Sequence, residues 1–472
     1  MKLRFSAFGK WFLKFMLILA GGTVIGFLLL LGAYAIPVEP IANHVKLSVP
    51  ALDGSWATGE IAYEQLVKGY LSTQLDNSTD ANMLLAAAHD SDRPLVQMAV
   101  SPATYTLDGR CYPALLQFGQ TGSAGLTSNP IARYWHGYLV VLKPLLCLFS
   151  YMDLRMLLTA VQWLAVCAVL AGLTMRGLLR SIPALAISLL VITPSVAGFS
   201  LQFSTVYLLF LGLCAVLLFR PSILRARGSL SVYFLIAGML TSYFDYLTYP
   251  IATFGMPFVM VLLLTPPLRR RQALALFALC LGAWFAGYFG LWAGKWLLAA
   301  ALGEDSWFVA NLLAKITERS SYEAEGAAIS FISVFKAVFA VYAKKAYLAL
   351  GAVLAALYAA LLARALWRRG RMKRVRQAEP AVCELFPAGE RLGYLLTAAL
   401  PLVWYAFTSN HTYDHAFFTS RALVVTAFAG IAFCLRFLQA QTGRGTDAQA
   451  ASDVSDERPP LSVERSPKRS KR

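Results

Sequence analysis

Charge is scarce in this chain. Only 14% of its 472 residues are Asp, Glu, Lys or Arg, where a soluble surface needs about a quarter. Acid is scarcer still, with 25 Asp+Glu against 42 Lys+Arg. With 58% hydrophobic residues and a mean hydropathy of +0.58, most of the chain must be solvated by lipid. That excludes a string of soluble domains, and excludes disorder for all but the tail. Cysteine is sparse and odd in number. Cys147, Cys167, Cys214, Cys280 and Cys434 lie in apolar runs, and Cys111 and Cys383 stand alone in polar loops. There is thus no disulfide framework and no CxxC metal site. The absence of a glycine-rich phosphate loop, of HExxH and of GxSxG argues against nucleotide hydrolysis, zincin proteolysis and α/β-hydrolase chemistry. No internal repeat is visible.

What the chain does have is long apolar runs. Ten approach the roughly 20 residues that cross a bilayer, near 13–36, 154–175, 182–200, 202–219, 230–248, 250–266, 273–300, 346–366, 393–408 and 421–440. Two shorter stretches, 137–152 and 328–343, carry Lys143 and Lys336. Ten crossings with both termini cytoplasmic place 28 of the 42 Lys+Arg inside, as the positive-inside rule asks. Letting either short stretch span breaks that rule, so both are expected to lie in the outer interface with lysines snorkelling to the headgroups.

The expected class is an all-α polytopic membrane protein of about ten transmembrane helices, with interfacial helices and a mixed extracytoplasmic loop domain. Residues 1–36 form the anchor span, 37–153 the loop domain with its interfacial helix, 154–440 the multi-span domain, and 441–472 a disordered basic cytoplasmic tail. That tail reads as a contact for anionic lipid headgroups and not for nucleic acid.

On this topology all five histidines fall on the outer side. Ionisable groups gathered at one surface favour a reaction there over conduction through the bilayer; Lys295 is the nearest to a midplane charge. Asp76 and Asp80, four apart before a helix-like run, suit general-base work or metal coordination, although Asp80 equally suits a helix N-cap. Arg133-Tyr134-Trp135-His136-Gly137-Tyr138 joins a bidentate phosphate donor to ring faces suited to sugars or headgroups, against the plain reading of an aromatic belt. Asn410, His411, Asp414 and His415, leading to Arg421, read as hydrogen-bonding groups around a substrate, with Arg421 on a phosphate. Two histidines alone are a weak metal signal, so a divalent metal stays open and no other cofactor is expected. Asp245 among three tyrosines is either a substrate wall or a turn cap.

One span, a long outer loop with acidic residues (Asp76, Asp80), an interfacial helix and many spans with short loops resemble the C-type (GT-C) integral-membrane glycosyltransferases. The resemblance is one of layout over residues 1–440. It departs in having no acidic pair directly after the first span. It implies transfer of a sugar from a polyprenyl-phosphate donor to an extracytoplasmic glycan, lipid or protein. An acidic residue of the first outer loop would act as base, and basic residues would hold the leaving phosphate. The expected setting is a bacterial cell membrane. Rival classes are a transporter or flippase of lipid-linked glycans, which predicts repeats and interrupted helices, and a non-enzymatic envelope assembly factor.

Overall fold

The computed structural model describes residues 7–52, 61–302, 314, 316–324, 326–373 and 385–442. The basic tail therefore lies outside the described residues, as does Cys383. The described residues are 77% helical. Among the described residues, six helices are long and apolar enough to cross a membrane: Gly9–Tyr34, Tyr151–Met175, Leu201–Phe219, Arg270–Ala301, Lys345–Arg371 and Ala416–Gln441. The chain is thus a helical, membrane-embedded protein.

In order, the first apolar helix is α1 (Ala7–Tyr34). It is followed by α2 (Val38–Leu52), α3 (Asn77–Ala87), α4 (Leu95–Val100), strand β1 (Ala103–Thr106), α5 (Cys111–Thr121), strand β2 (Thr127–Pro130) and α6 (Leu139–Leu146). β1 and β2 pair antiparallel, Ala103 opposite Pro130. Next come α7 (Tyr151–Met175), α8 (Ile182–Leu189), α9 (Pro194–Gly198), α10 (Leu201–Phe219), α11 (Arg227–Phe244), α12 (Ala252–Leu264) and α13 (Arg270–Ala301). A two-residue hairpin, β3 (Glu323–Ala324) and β4 (Ala327–Ala328), precedes α14 (Phe331–Ala340) and α15 (Lys345–Lys373). The chain closes with α16 (Ala388–Phe407), α17 (Ser409–Asp414), α18 (Ala416–Thr419) and α19 (Leu423–Gln441).

All ten apolar runs are helical, but four are not among the six long apolar helices. α12 has 13 residues, a rise of about 20 Å against a hydrocarbon core of about 30 Å. α11 and α16 reach 18 and 20 residues but mix in Ser229, Ser231 and Thr241, or Glu390 and Arg391. The run 182–200 is broken: Thr193 adopts φ 55° between a 3-10 turn and α9. The break frees carbonyls that membrane helices must satisfy. Tyr342 Oη donates to Val191 O at 2.8 Å, and Arg421 Nε to Ile192 O at 3.2 Å.

Small residues set the tightest helix crossing. A Cβ on Gly238 would lie 2.0 Å from Trp284 O, and one on Gly287 2.0 Å from Leu235 O. Only glycine lets α11 and α13 approach so closely. α15 is the opposite case. None of its most apolar window is buried, and its ties are few, among them Tyr358 Oη to Cys434 O and Arg369 to Ala440 O.

The expected snorkelling of Lys143 is overturned. α6 is indeed short, yet Lys143 is fully buried and donates to Ala87 O at 2.9 Å. The C-terminal end of α3 carries partial negative charge that attracts a cation, and the stem is buried with it. Lys295 does the same for α4, donating to Val100 O at 2.5 Å and Ala99 O at 3.3 Å. Lys336 does stay exposed on α14.

Candidate functional site

Helix α3 addresses three neighbours from successive turns. Its N-cap is Asp76, not Asp80: the Asp76 carboxylate accepts from Thr79 N at 2.9 Å and Thr79 Oγ1 at 2.8 Å. Burial raises this carboxyl to about 6, against the pull of Thr79 and, more weakly, of Arg421. One turn on, Asp80 is 1% exposed and fully engaged. Oδ1 accepts from Ser200 Oγ at 3.2 Å and Gln202 N at 3.1 Å; Oδ2 accepts from Leu201 N at 3.1 Å and from the Tyr151 hydroxyl. Burial pushes this carboxyl up too, opposed by Tyr151, Arg155 and the two amides. Asp80 thus sits on the N-terminus of α10, where the helix dipole favours an anion. Arg155 on α7 closes the group by donating to Asn77 Oδ1 at 2.8 Å. Asn82, next along α3, donates to Tyr246 Oη at 3.0 Å.

Tyr246 belongs to residues 243–250, the last two residues of α11 and the turn that leads to α12, and that segment is the hub. Asp245 accepts from Thr248 N at 3.1 Å and Thr248 Oγ1 at 2.6 Å, so it does cap the turn. Burial also raises Asp245 to about 6. On one side the 133–138 segment docks. Gly137 N donates to Tyr243 O at 3.0 Å, and a Cβ on Gly137 would lie 2.3 Å from the Tyr243 ring. The Tyr134, His136 and Tyr138 rings all lie within 6.3 Å of the Tyr246 ring, centre to centre. On the other side His411 Nε2 donates to Leu247 O at 2.8 Å, and Arg421 lies close to Tyr249.

Backbone strain gathers at the same place. Four described residues other than glycine have positive φ: Asp108, His136 (53°), Thr193 (55°) and Leu247 (60°). His136 and Leu247 belong to the hub, whereas Thr193 marks the break before α9; a bulky or β-branched residue in that region of φ is costly.

The sequence candidates fare differently. Arg133 keeps a buried Nε without a hydrogen-bond partner, and its guanidinium lies 5.3 Å from the Tyr134 ring centre. Trp135 is spent on packing, with Nε1 donating to Leu291 O at 2.8 Å and Lys295 over its ring. His136 is buried, paired through Nδ1 with Tyr138 Oη at 3.0 Å, and burial lowers it to about 3, so its ring is neutral. Arg421 is not the isolated guanidinium expected at the membrane surface. It is 1% exposed, and Nε, Nη1 and Nη2 donate to Ile192 O (3.2 Å), Phe417 O (2.7 Å) and Ser72 O (3.1 Å).

Asn410 and His411 likewise hold chain in place. Asn410 Nδ2 donates to Glu323 O at 2.7 Å and to Asp414 Oδ2 at 3.1 Å. His411 Nδ1 accepts from Arg319 at 2.6 Å, so both its nitrogens are used and neither can ligate a metal. His415 stacks on Phe418 and is lowered to about 4 by burial and by Arg319. Among the described residues, no three His, Cys, Asp or Glu groups gather as a metal set.

Comparison with known proteins gives no matching family model, no matching curated protein and no matching solved structure. Three residues escaped the sequence reading: Tyr151, Arg155 and Asn82. Arg155 carried a usable signal, a charge at the start of an apolar run; Asn82 carried none. Beside this cluster runs an apolar groove of about 450 Å³ between α6, α7, α10 and α11, lined by Met83, Tyr138, Leu154, Leu158, Leu201 and Ser204 among others.

Proposed function

We propose that the chain is a membrane glycosyltransferase that moves a sugar from a polyprenyl-phosphate donor to an extracytoplasmic acceptor. The observation that carries this reading is the convergence on the 243–250 turn. Asp245, held near 6, Arg133 beside Tyr134 and Tyr246 and a set of tyrosine rings meet there on strained backbone; Asp76, also held near 6, caps the helix that reaches the same turn through Asn82. A carboxylate near neutrality is suited to take a proton from an acceptor hydroxyl. Asp80, with four donors on its two oxygens, has no lone pair left for that task, so Asp76 is the base in this reading. Arg133 steadies the departing phosphate. The adjoining groove is apolar, as a lipid chain requires.

In this reading the hub faces outward, the chain crosses the membrane ten times, and both termini are cytoplasmic. Cysteines placed at the exposed positions Ser123 and Ala327 then label from outside, and one at Val382, outside the described residues, from within. The activity test is to incubate the purified protein in vesicles with a panel of polyprenyl-phosphate sugars together with a cell-envelope glycan and lipid extract as acceptor, and to follow release of polyprenyl phosphate. Donor consumption by the wild type and its loss in Asp76→Asn support transfer; no consumption across the panel overturns it.

A second reading, a flippase for lipid-linked glycans, is favoured by one observation: the helix interrupted at Thr193, whose freed Ile192 carbonyl is held by a buried arginine. Transbilayer movement of a fluorescent lipid-linked sugar without its cleavage would select it.

A further inference from the structure

Tryptophans near a membrane surface usually turn the indole N–H toward headgroups or water. Two near the C-terminal end of α13 do not. Trp292 Nε1 donates to Arg133 O at 2.6 Å, and Trp296 Nε1 donates to the same oxygen at 3.3 Å. The two stand four apart on one helix, so they share a face, and together they claim both lone pairs of one carbonyl. Trp292 also reaches the side-chain end of Arg133. Its ring stacks on Tyr134, 6.0 Å between centres and 20° between planes, and the Arg133 guanidinium lies 5.3 Å from the centre of that tyrosine ring. Next along the segment, Trp135 Nε1 donates back to Leu291 O at 2.8 Å, and Lys295 Nζ lies 5.4 Å from the Trp135 ring centre. Residues 291–296 thus grip 133–135 at backbone and side chain alike.

The grip is in register with the hub. α13 crosses α11 on Gly238 and Gly287, where no Cβ fits, and α11 runs directly into residues 243–250. A slip of α13 along α11 would carry Arg133 away from Tyr246, with which it interacts. Arg133 is half-buried, and its Nε is enclosed, so contact with a ligand falls to its two terminal nitrogens. Ordering a long side chain on binding costs entropy. A guanidinium already held against a ring avoids most of that cost.

We propose that Trp292 and Trp296 are positioning residues for Arg133: by fixing its carbonyl and the ring beside its guanidinium, they hold that group pre-ordered for a lipid-linked phosphate. The phosphate rests on the glycosyltransferase reading; the fixing does not.

The test is arginine footprinting with phenylglyoxal on the full-length protein in nanodiscs, read by peptide mass spectrometry, with the exposed Arg110 as internal reference. Benzothienylalanine, a tryptophan isostere with sulfur in place of the N–H, replaces Trp292 and Trp296, so the rings stay and the hydrogen bonds go. Arg133 should then react about 3- to 10-fold faster relative to Arg110, the worth of one hydrogen bond. Trp292→Phe should shift the ratio in the same direction. A merely structural role would lower the melting temperature and leave the ratio alone, and an unchanged ratio in both variants overturns the proposal. Farnesyl phosphate is the ligand probe. It should shield Arg133 in the wild type, and loss of both N–H groups should weaken its binding about 3- to 10-fold by native mass spectrometry. In an Arg133→Gln background the same loss should have no further effect, because residues that act through one group are not additive. Equal weakening with and without Arg133 also overturns the proposal. If farnesyl phosphate neither binds nor shields Arg133, the phosphate assignment falls, and the reactivity ratio still decides whether the indoles hold the guanidinium.

Discussion

Asp76 and Asp80 stand one helical turn apart, and both are buried, yet they live in different surroundings. Asp76 is held by its own helix, through Thr79 alone. Asp80 is held from afar, by Tyr151 and by the start of α10, 71 to 122 positions along the chain. Both carboxyls are raised, but a local cap leaves oxygen lone pairs free, and a four-donor socket does not. Burial alone therefore does not mark a base; what counts is how many donors already claim the carboxylate. Asp80 fastens the 77–87 helix to the membrane bundle, and Asp76, with only the two Thr79 donors on it, keeps oxygen lone pairs free.

The largest effect that tests this contrast belongs to Asp80. Asp80→Ala should cost about 3–5 kcal/mol, because partners of a buried charge are left unpaired. Asp80→Asn should be nearly as harmful, since its amide group would turn hydrogens toward N–H donors. Denaturant unfolding in detergent measures both, and a change below about 0.5 kcal/mol in Asp80→Asn would break the comparison.

Asp76→Asn should preserve the fold, as Asn caps about as well as Asp, while donor turnover falls about 100-fold. The wild-type rate should rise as pH passes upward through about 6, the value at which Asp76 ionises, and the variant should lack that step. Stability should move the other way. A raised carboxyl holds its proton more tightly in the folded state, so its contribution is greatest in acid and is lost between about pH 4 and 6 as pH rises. Asp76→Asn should flatten that slope in melting curves.

The two arginines sharpen the same point at smaller scale. Arg421→Lys should lower stability by about 1.5–3 kcal/mol, since one ammonium cannot reach three carbonyls from three segments. Arg133→Lys should leave melting unchanged and weaken donor binding about 10-fold, read as a rise in donor KM. Smallest of all is the lysine pair. Lys143→Met should cost about 1–3 kcal/mol by leaving Ala87 O unpaired, whereas Lys336→Gln should stay within about 0.5 kcal/mol.

Hydropathy was legible because it is local: every apolar run in the sequence is helical in the structure. What hydropathy could not convey was where a run breaks. Thr193 gives no local warning beyond the proline that follows it, and the break is held by Arg421, 229 residues after Ile192, which donates to the freed Ile192 carbonyl. The site was legible in part for the same reason. Arg133 to Tyr138 and Asp245 stand out within a few residues, and the structure does bring them together at the 243–250 turn. The cap on α3 was placed one turn late, since either carboxylate fits the rule and only the N–H geometry decides. Lys143 was read as an interface residue because a lysine in an apolar stretch usually finds headgroups. Its actual partner, Ala87 O, is a backbone atom and leaves no trace in side-chain pattern.

The two buried lysines and Arg421 have a shared property. Among their described hydrogen bonds, each is satisfied by backbone carbonyls and not by a carboxylate. A carbonyl cannot be protonated in ordinary acid, and its partial charge is buried with its partner, beyond the reach of dissolved salt. The seams where α3, α4 and the last apolar helix are fastened should therefore hold at a strongly acidic, strongly saline cell surface, conditions that dissolve ordinary ion pairs.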